Sequence, residues 1–134
     1  MTQILIVEDD VLIGRLYQKI FTVEGYQVAV AVDGQQGLDM VRTFKPTLIL
    51  LDIMMPKLNG LQVLEKLKVD PETKNIPVVM LTNLSSQQDA EAALLKGAVK
   101  YIIKSEQTPK QVFEVIKQLL AAYTRSEIPP VAPA

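Results

Sequence analysis

Glu8, Asp9 and Asp10 stand together near the start of the chain, Asp52 follows a run of apolar residues, and Thr82 and Lys104 each close another such run. The chain contains no histidine and no cysteine. That removes imidazole acid–base chemistry, thiolate nucleophiles, His or Cys metal ligands and any internal phosphohistidine donor. Chemistry here must rest on carboxylates, hydroxyls, lysine and backbone. Several carboxylates in one cleft repel one another and raise each other's pKa unless a cation joins them. Two or three of them, with a backbone carbonyl and waters, make a hard oxygen site suited to Mg²⁺. Such an ion would draw in a phosphate that the bare acids would repel. Lys104 offers a second positive charge for phosphoryl oxygens, and the Thr82 hydroxyl can donate to another. Phosphoryl transfer needs mainly positioning and charge neutralisation, and the nucleophile left to this chain is a carboxylate. Singly, these residues have plainer readings: Asp10 is as readily a helix cap, and a lone Thr or Lys at a strand end is usually structural. The joint pattern of strand ends carrying complementary chemistries is far more specific.

The elements that must position these groups follow from five apolar runs alternating with segments of helical period. The runs are Ile4 to Val7, Val28 to Val32, Thr47 to Leu51, Val78 to Leu81 and Val99 to Ile103. Between them, Ile13, Leu16, Tyr17, Ile20 and Val23 recur at helical spacing before Gly25. Leu38, Val41 and Phe44 do so before Lys45-Pro46, and Leu61, Leu64 and Leu67 before Asp70-Pro71. Asn59-Gly60 marks a turn. Ser85 or Ser86 caps a fourth helix bearing Ala90, Ala93 and Leu94, which Gly97 stops. Thr108-Pro109-x-Gln111 reads as an N-cap, a first-turn proline and a capping-box partner for a last helix carrying Val112, Val115, Ile116, Leu119 and Leu120. Met54, Met55 and Met80 read as packing residues, with Met54 partly exposed. Continuous apolar strands separated by helices predict an α/β fold: a doubly wound, five-stranded parallel sheet covered on both faces. The first, third and fourth runs are the most apolar and should be central, which suits the order 2-1-3-4-5. All the strand ends then share one edge, and the first and third strands are neighbours about 4.8 Å apart, so Asp9 and Asp52 can converge on one ion.

The 134 residues fit one domain, and a 49% apolar composition provides a core. We expect the domain to occupy residues 1–123, with residues 124–134, rich in proline, as a flexible tail. A net charge of −1 gives no footprint for direct nucleic-acid binding. No apolar run approaches a membrane span and no signal peptide opens the chain, so no membrane insertion is expected. With the absence of cysteine, this predicts a cytoplasmic setting.

The pieces ILIVEDD, LILLDIMMP followed by KLNG, VVMLTN and YIIK resemble the receiver domain of two-component response regulators, in particular its single-domain, chemotaxis-regulator-like members with a flavodoxin-like (βα)5 fold. The resemblance runs from about Gln3 to Ala122. It implies that Asp52 is the phospho-accepting aspartate, that Asp9 is a direct metal ligand, and that Glu8 acts mostly through metal-bound water. It further implies that the Met54 backbone carbonyl is a ligand, that Thr82 and Tyr101 are a switch pair, and that Lys104 contacts the phosphoryl group. The implied cofactor is Mg²⁺, with Mn²⁺ as a substitute. The implied donor is a histidine kinase or a His-phosphotransfer protein in a phosphorelay, and the implied output is a changed binding surface for a separate downstream protein, since no output domain follows in this sequence. Such a protein is not a conventional enzyme: it promotes only phosphoryl transfer to its own aspartate and slow self-dephosphorylation. Two positions depart from the family pattern. Ser105 follows Lys104 where proline is usual, which predicts a trans peptide there, and Asn83 follows Thr82 where a small residue is usual, which narrows access to Asp52. A flavodoxin-type carrier would need a Ser/Thr/Gly-rich phosphate loop where Glu8-Asp9-Asp10 stands. An aspartyl-phosphate phosphatase would need an acid at position 54, which is Met. A receiver-like module that is never phosphorylated is the third alternative, and such modules tend to lose the acids, the threonine or the lysine.

Overall fold

Alternation of apolar and helical segments produces, in the computed structural model, five strands and five helices in strict succession; residues 2–124 are described. The elements are β1 (Gln3–Val7), α1 (Val11–Val23), β2 (Gln27–Ala31), α2 (Gly34–Phe44), β3 (Leu48–Leu51), α3 (Gly60–Val69), β4 (Val78–Thr82), α4 (Gln87–Leu95), β5 (Lys100–Ile103) and α5 (Pro109–Thr124), with a single 3₁₀ turn at Lys104–Glu106 between β5 and α5. All pairings are parallel and the order is β2-β1-β3-β4-β5. The most apolar runs are indeed central: β3 and β4 are buried along their whole length, whereas the edge strands β2 and β5 are only partly covered. One core layer includes Leu5, Val7, Ile49, Leu64 and Met80. The other, on the opposite sheet face, includes Ile6, Leu50, Tyr17, Phe21, Ile102 and Phe113. The expected tail lies outside the described residues except for Thr124, the last residue of α5. Among the described residues no helix is long and apolar enough to cross a membrane.

Caps fix where the helices begin. Asp10 accepts from the Leu12 and Ile13 amides, so its capping role is real. Ser86, rather than Ser85, caps α4. Thr108 and Gln111 close the expected capping box, and Asn59 with Gln62 forms a second one at α3 that the reading of Asn59-Gly60 as a simple turn missed.

The buried face of α1 matches the expected one in part, with Tyr17 buried and Ile13 and Ile20 packed against the core as expected. Gly14, Tyr17 and Phe21 face inward, while Leu16 is 46% and Val23 74% exposed. At Gly14 a Cβ would lie 3.1 Å from the Val30 side chain, so α1 packs closely on β2 there and a larger residue would require Val30 to shift by a few tenths of an ångström. Leu94 on α4 is likewise exposed, and Ala93 carries the contact with the core. Val32 falls beyond β2 and is exposed.

Candidate functional site

Register brings the first acids together. Val7 pairs with Leu51, so the residues that follow, Glu8 and Asp52, leave adjacent strands side by side. Their backbones are tied in turn: the Asp52 amide donates to the Val7 carbonyl at 3.1 Å and the Glu8 amide to the Ala31 carbonyl at 2.9 Å. Oxygens of Glu8, Asp9 and Asp52 lie within 4.8 Å of one another. Glu8 and Asp52 are buried and Asp9 is exposed, so the cluster opens to solvent on the Asp9 side.

Lys104 reaches this cluster from the end of β5. Its Nζ donates to Glu8 Oε1 through a short contact and to Asp52 Oδ2 at 3.2 Å. The other Asp52 oxygen accepts the Met54 amide at 3.3 Å, and Glu8 Oε2 accepts the Asp10 amide at 3.1 Å. Desolvation raises the Glu8 carboxyl to about 7; the Lys104 hydrogen bond opposes this and the Asp52 charge adds to it. Burial disfavours the Lys104 ammonium, but Glu8 and Asp52 outweigh it and hold its pKa above the ordinary value. No cis peptide occurs among the described residues, so Lys104-Ser105 is trans as expected. The 3₁₀ turn starting at Lys104 carries the chain onward to Thr108.

Thr82 ends β4, fully buried. Its hydroxyl accepts the Leu84 amide at 3.4 Å, while the Tyr101 hydroxyl donates to the Leu84 carbonyl at 2.8 Å. Leu84 therefore stands between the two expected switch residues, a link the spacing of the strands did not reveal. Asn83 is exposed on the same loop. Met54 is 60% exposed at the mouth of the site, more open than a packing residue would be.

The loop between β3 and α3 is held by a close approach. A Cβ on Gly60 would lie 2.1 Å from the Asp52 carbonyl oxygen and 2.7 Å from the Ile53 Cα. The first turn of α3 thus presses directly on the backbone that carries Asp52. Sequence alone marked Gly60 as a turn residue and not as a support for the site.

The donor set fits a hard divalent cation: three converging carboxylates, oxygen donors throughout, and no soft ligand. The arrangement brings three carboxylates and an ammonium together at the edge of the sheet where the chain leaves the adjacent strands β1 and β3, the usual ligand position in doubly wound folds.

Comparison with known proteins agrees with this geometry. The family model for the response regulator receiver domain matches residues 4–117. A DNA-binding dual master transcriptional regulator, RpaA of Synechocystis, is 37% identical over 132 residues, covering 98% of this chain and 53% of the relative. The response regulator ArlR of Staphylococcus aureus is 37% identical over 125 residues, covering 93% and 54%. The chain thus spans about half the length of the curated relatives it matches. Among solved structures, a CheY-like receiver domain protein from Methanospirillum hungatei superposes with a TM-score of 0.85 at 31% identity, covering 94% of this chain and 98% of that one. The Mn(2+)-bound form of the response regulator Rcp1 superposes with a TM-score of 0.76 at 28% identity, covering 98% and 100%.

Proposed function

Because this chain belongs to the response regulator receiver domain family, we propose that Asp52 accepts a phosphoryl group from a histidine kinase or a His-phosphotransfer protein and that the resulting change in surface is read by a downstream protein. The observation that carries this reading is the convergence of Glu8, Asp9 and Asp52 oxygens within 4.8 Å, with Lys104 bonded to Asp52. A carboxylate oxygen of Asp52 attacks phosphorus, the P–N bond to the donor imidazole breaks, and its electron pair stays on the ring nitrogen. Glu8, Asp9, Asp52 and the Met54 carbonyl would hold Mg²⁺ or Mn²⁺, which when bound would neutralise charge on the phosphoryl oxygens; Rcp1, a structural neighbour, has been solved in an Mn²⁺-bound form. Lys104 is held to Glu8 and Asp52 by ion pairs. From this position beside Asp52 the Lys104 ammonium is placed to contact the incoming phosphoryl oxygens. The protein works on its own aspartate alone, including slow self-dephosphorylation, and in this respect is not a conventional enzyme.

The switch proceeds through Leu84. A phosphoryl group on Asp52 draws the Thr82 hydroxyl, which gives up the Leu84 amide. That moves the carbonyl to which Tyr101 is bonded. Incubation with acetyl phosphate and Mg²⁺ tests the core of the reading: intact mass should rise by one phosphoryl group. No gain in mass, or the same gain in the presence of a chelator, contradicts it.

A further inference from the structure

The loop between β3 and α3 closes on itself. The Ile53 carbonyl accepts two amides, that of Met55 at 3.0 Å and that of Gly60 at 2.9 Å. The Met55 N–H and the Met54 C=O belong to one planar trans peptide and point in opposite directions. Anchoring the Met55 amide on Ile53 therefore turns the Met54 carbonyl the other way, and among the described residues no hydrogen bond reaches that oxygen. The chain returns from Pro56 to Gly60 by a turn at Lys57. The φ of Lys57 is 67°, in the left-handed region. Across it the Leu58 amide donates to the Pro56 carbonyl at 2.7 Å, a three-residue turn of the rare, strained hand. The end of the turn is held by α2: a Cβ on Gly34 would lie 2.7 Å from the Leu58 carbonyl oxygen.

A lysine at positive φ is uncommon, because its Cβ crowds the backbone there. The Lys57 side chain offers nothing in compensation: it is exposed and makes no hydrogen bond or ion pair among the described residues. The strain is thus borne for the closure of the loop, since the Gly60 amide meets Ile53 only where the chain reverses at this point. We propose that Lys57 is a positioning residue for the cation site, acting through its left-handed backbone and not through its ammonium. Its turn returns Gly60 to Ile53, and the doubly bonded Ile53 carbonyl fixes the peptide that leaves the Met54 carbonyl free for the cation. The inference rests on the reading of that carbonyl as a metal ligand.

The test uses the full chain and reads Mg²⁺ affinity by titration calorimetry, metal-free thermal unfolding, and amide exchange by NMR. Lys57→Gln removes the charge and keeps the backbone preference, so its Tm and Mg²⁺ Kd should match wild type. Lys57→Val resists the left-handed backbone and should lower Tm by about 4 °C. It should also weaken Mg²⁺ binding roughly tenfold, the low end for losing a group that orients a metal ligand, and speed solvent exchange of the Gly60 amide. Lys57→Gly takes up positive φ without strain, so Tm should rise by about 2 °C while Kd stays within about twofold of wild type. Gly25→Ala is the control for strain alone. Gly25 has a φ of 94° between α1 and β2, with open space around it, so the substitution should lower Tm and leave Kd unchanged. A wild-type Kd or unchanged Gly60 exchange in Lys57→Val, an equal loss of affinity in Gly25→Ala, or weakened binding in Lys57→Gln overturns the inference. So does a fall in Tm for Lys57→Gly, which is read whether or not Lys57→Val folds. A wild-type protein that binds no Mg²⁺ overturns instead the metal reading beneath it.

Discussion

On the proposed reading of Asp52 as the acceptor, the lifetime of its phosphoryl group depends on the side chains at the mouth of the site, because hydrolysis needs a water in line behind phosphorus. Met54 is exposed there and Leu84 is partly buried against the core; neither can orient a water. Asn83, exposed on the adjoining loop, is the nearest polar alternative. We predict slow decay of the phosphorylated protein in Mg²⁺, with Met54→Asn accelerating it by roughly tenfold, since positioning alone can change rates by orders of magnitude. Leu84→Glu should also speed decay, but it disturbs core packing, so Met54→Asn is the cleaner variant. If Asn83→Ala slows decay markedly while Met54→Asn changes nothing, Asn83 is the water-positioning residue. At this scale the acids and Lys104 were legible in the sequence because each ends an apolar run. Leu84 was hidden because its contribution is made by backbone atoms.

Elements hold these residues through contacts that residue types alone do not disclose. Gly60 lets α3 press on the Asp52 carbonyl. Gly60→Ala should therefore destabilise the fold by about 1–3 kcal/mol through overpacking and weaken Mg²⁺ binding as the Asp52–Met54 backbone shifts; calorimetry showing neither loss would contradict this. At the other end of the same helix, in its last turn, the Lys68 Nζ donates to the Lys74 and Ile76 carbonyls at 3.0 and 2.7 Å, stapling α3 to the segment that enters β4. Burial lowers its pKa from the ordinary 10.5 to about 8. Between those values the unfolded chain holds more protons than the folded one, so stability rises with pH there. Relative to Lys68→Met, which keeps the stem but cannot titrate, the wild-type protein should gain stability from about pH 8 to about 10.5. A difference that stays flat or falls across that window would show that the two carbonyls keep the ammonium charged. The apolar face of α1 was legible only in part. Counting apolar residues placed Ile13, Tyr17 and Ile20 on the inner face but added Leu16 and Val23, which are exposed, and passed over Phe21, which is buried and meets the Phe113 ring edge-on at 5.3 Å between centroids.

For the molecule as a whole, strand order does the decisive work. Placing β1 beside β3 joins acids that are 43 or 44 positions apart in sequence (52 − 9 and 52 − 8), and placing β4 beside β5 sets Thr82 and Tyr101 on either side of Leu84. That order was readable from which runs are most apolar, since central strands are covered on both faces and edge strands are not. Phosphorylation should thus produce NMR shifts concentrated along β4, β5 and the Asn83–Ser86 loop, weakened in Tyr101→Phe; shifts confined to the immediate neighbours of Asp52 would mean that no switch runs through Leu84. All of this depends on Asp52 being the acceptor, and the most direct measurement identifies the labelled residue itself. Protein treated with acetyl phosphate, with or without Mg²⁺, is reduced with borohydride, which converts an aspartyl phosphate to homoserine, and its peptides are mapped by mass. The account predicts homoserine at position 52 alone, dependent on Mg²⁺ and absent from Asp52→Asn. Conversion at Glu8, Asp9 or any other acid, or conversion at position 52 that persists when the metal is chelated, would contradict it.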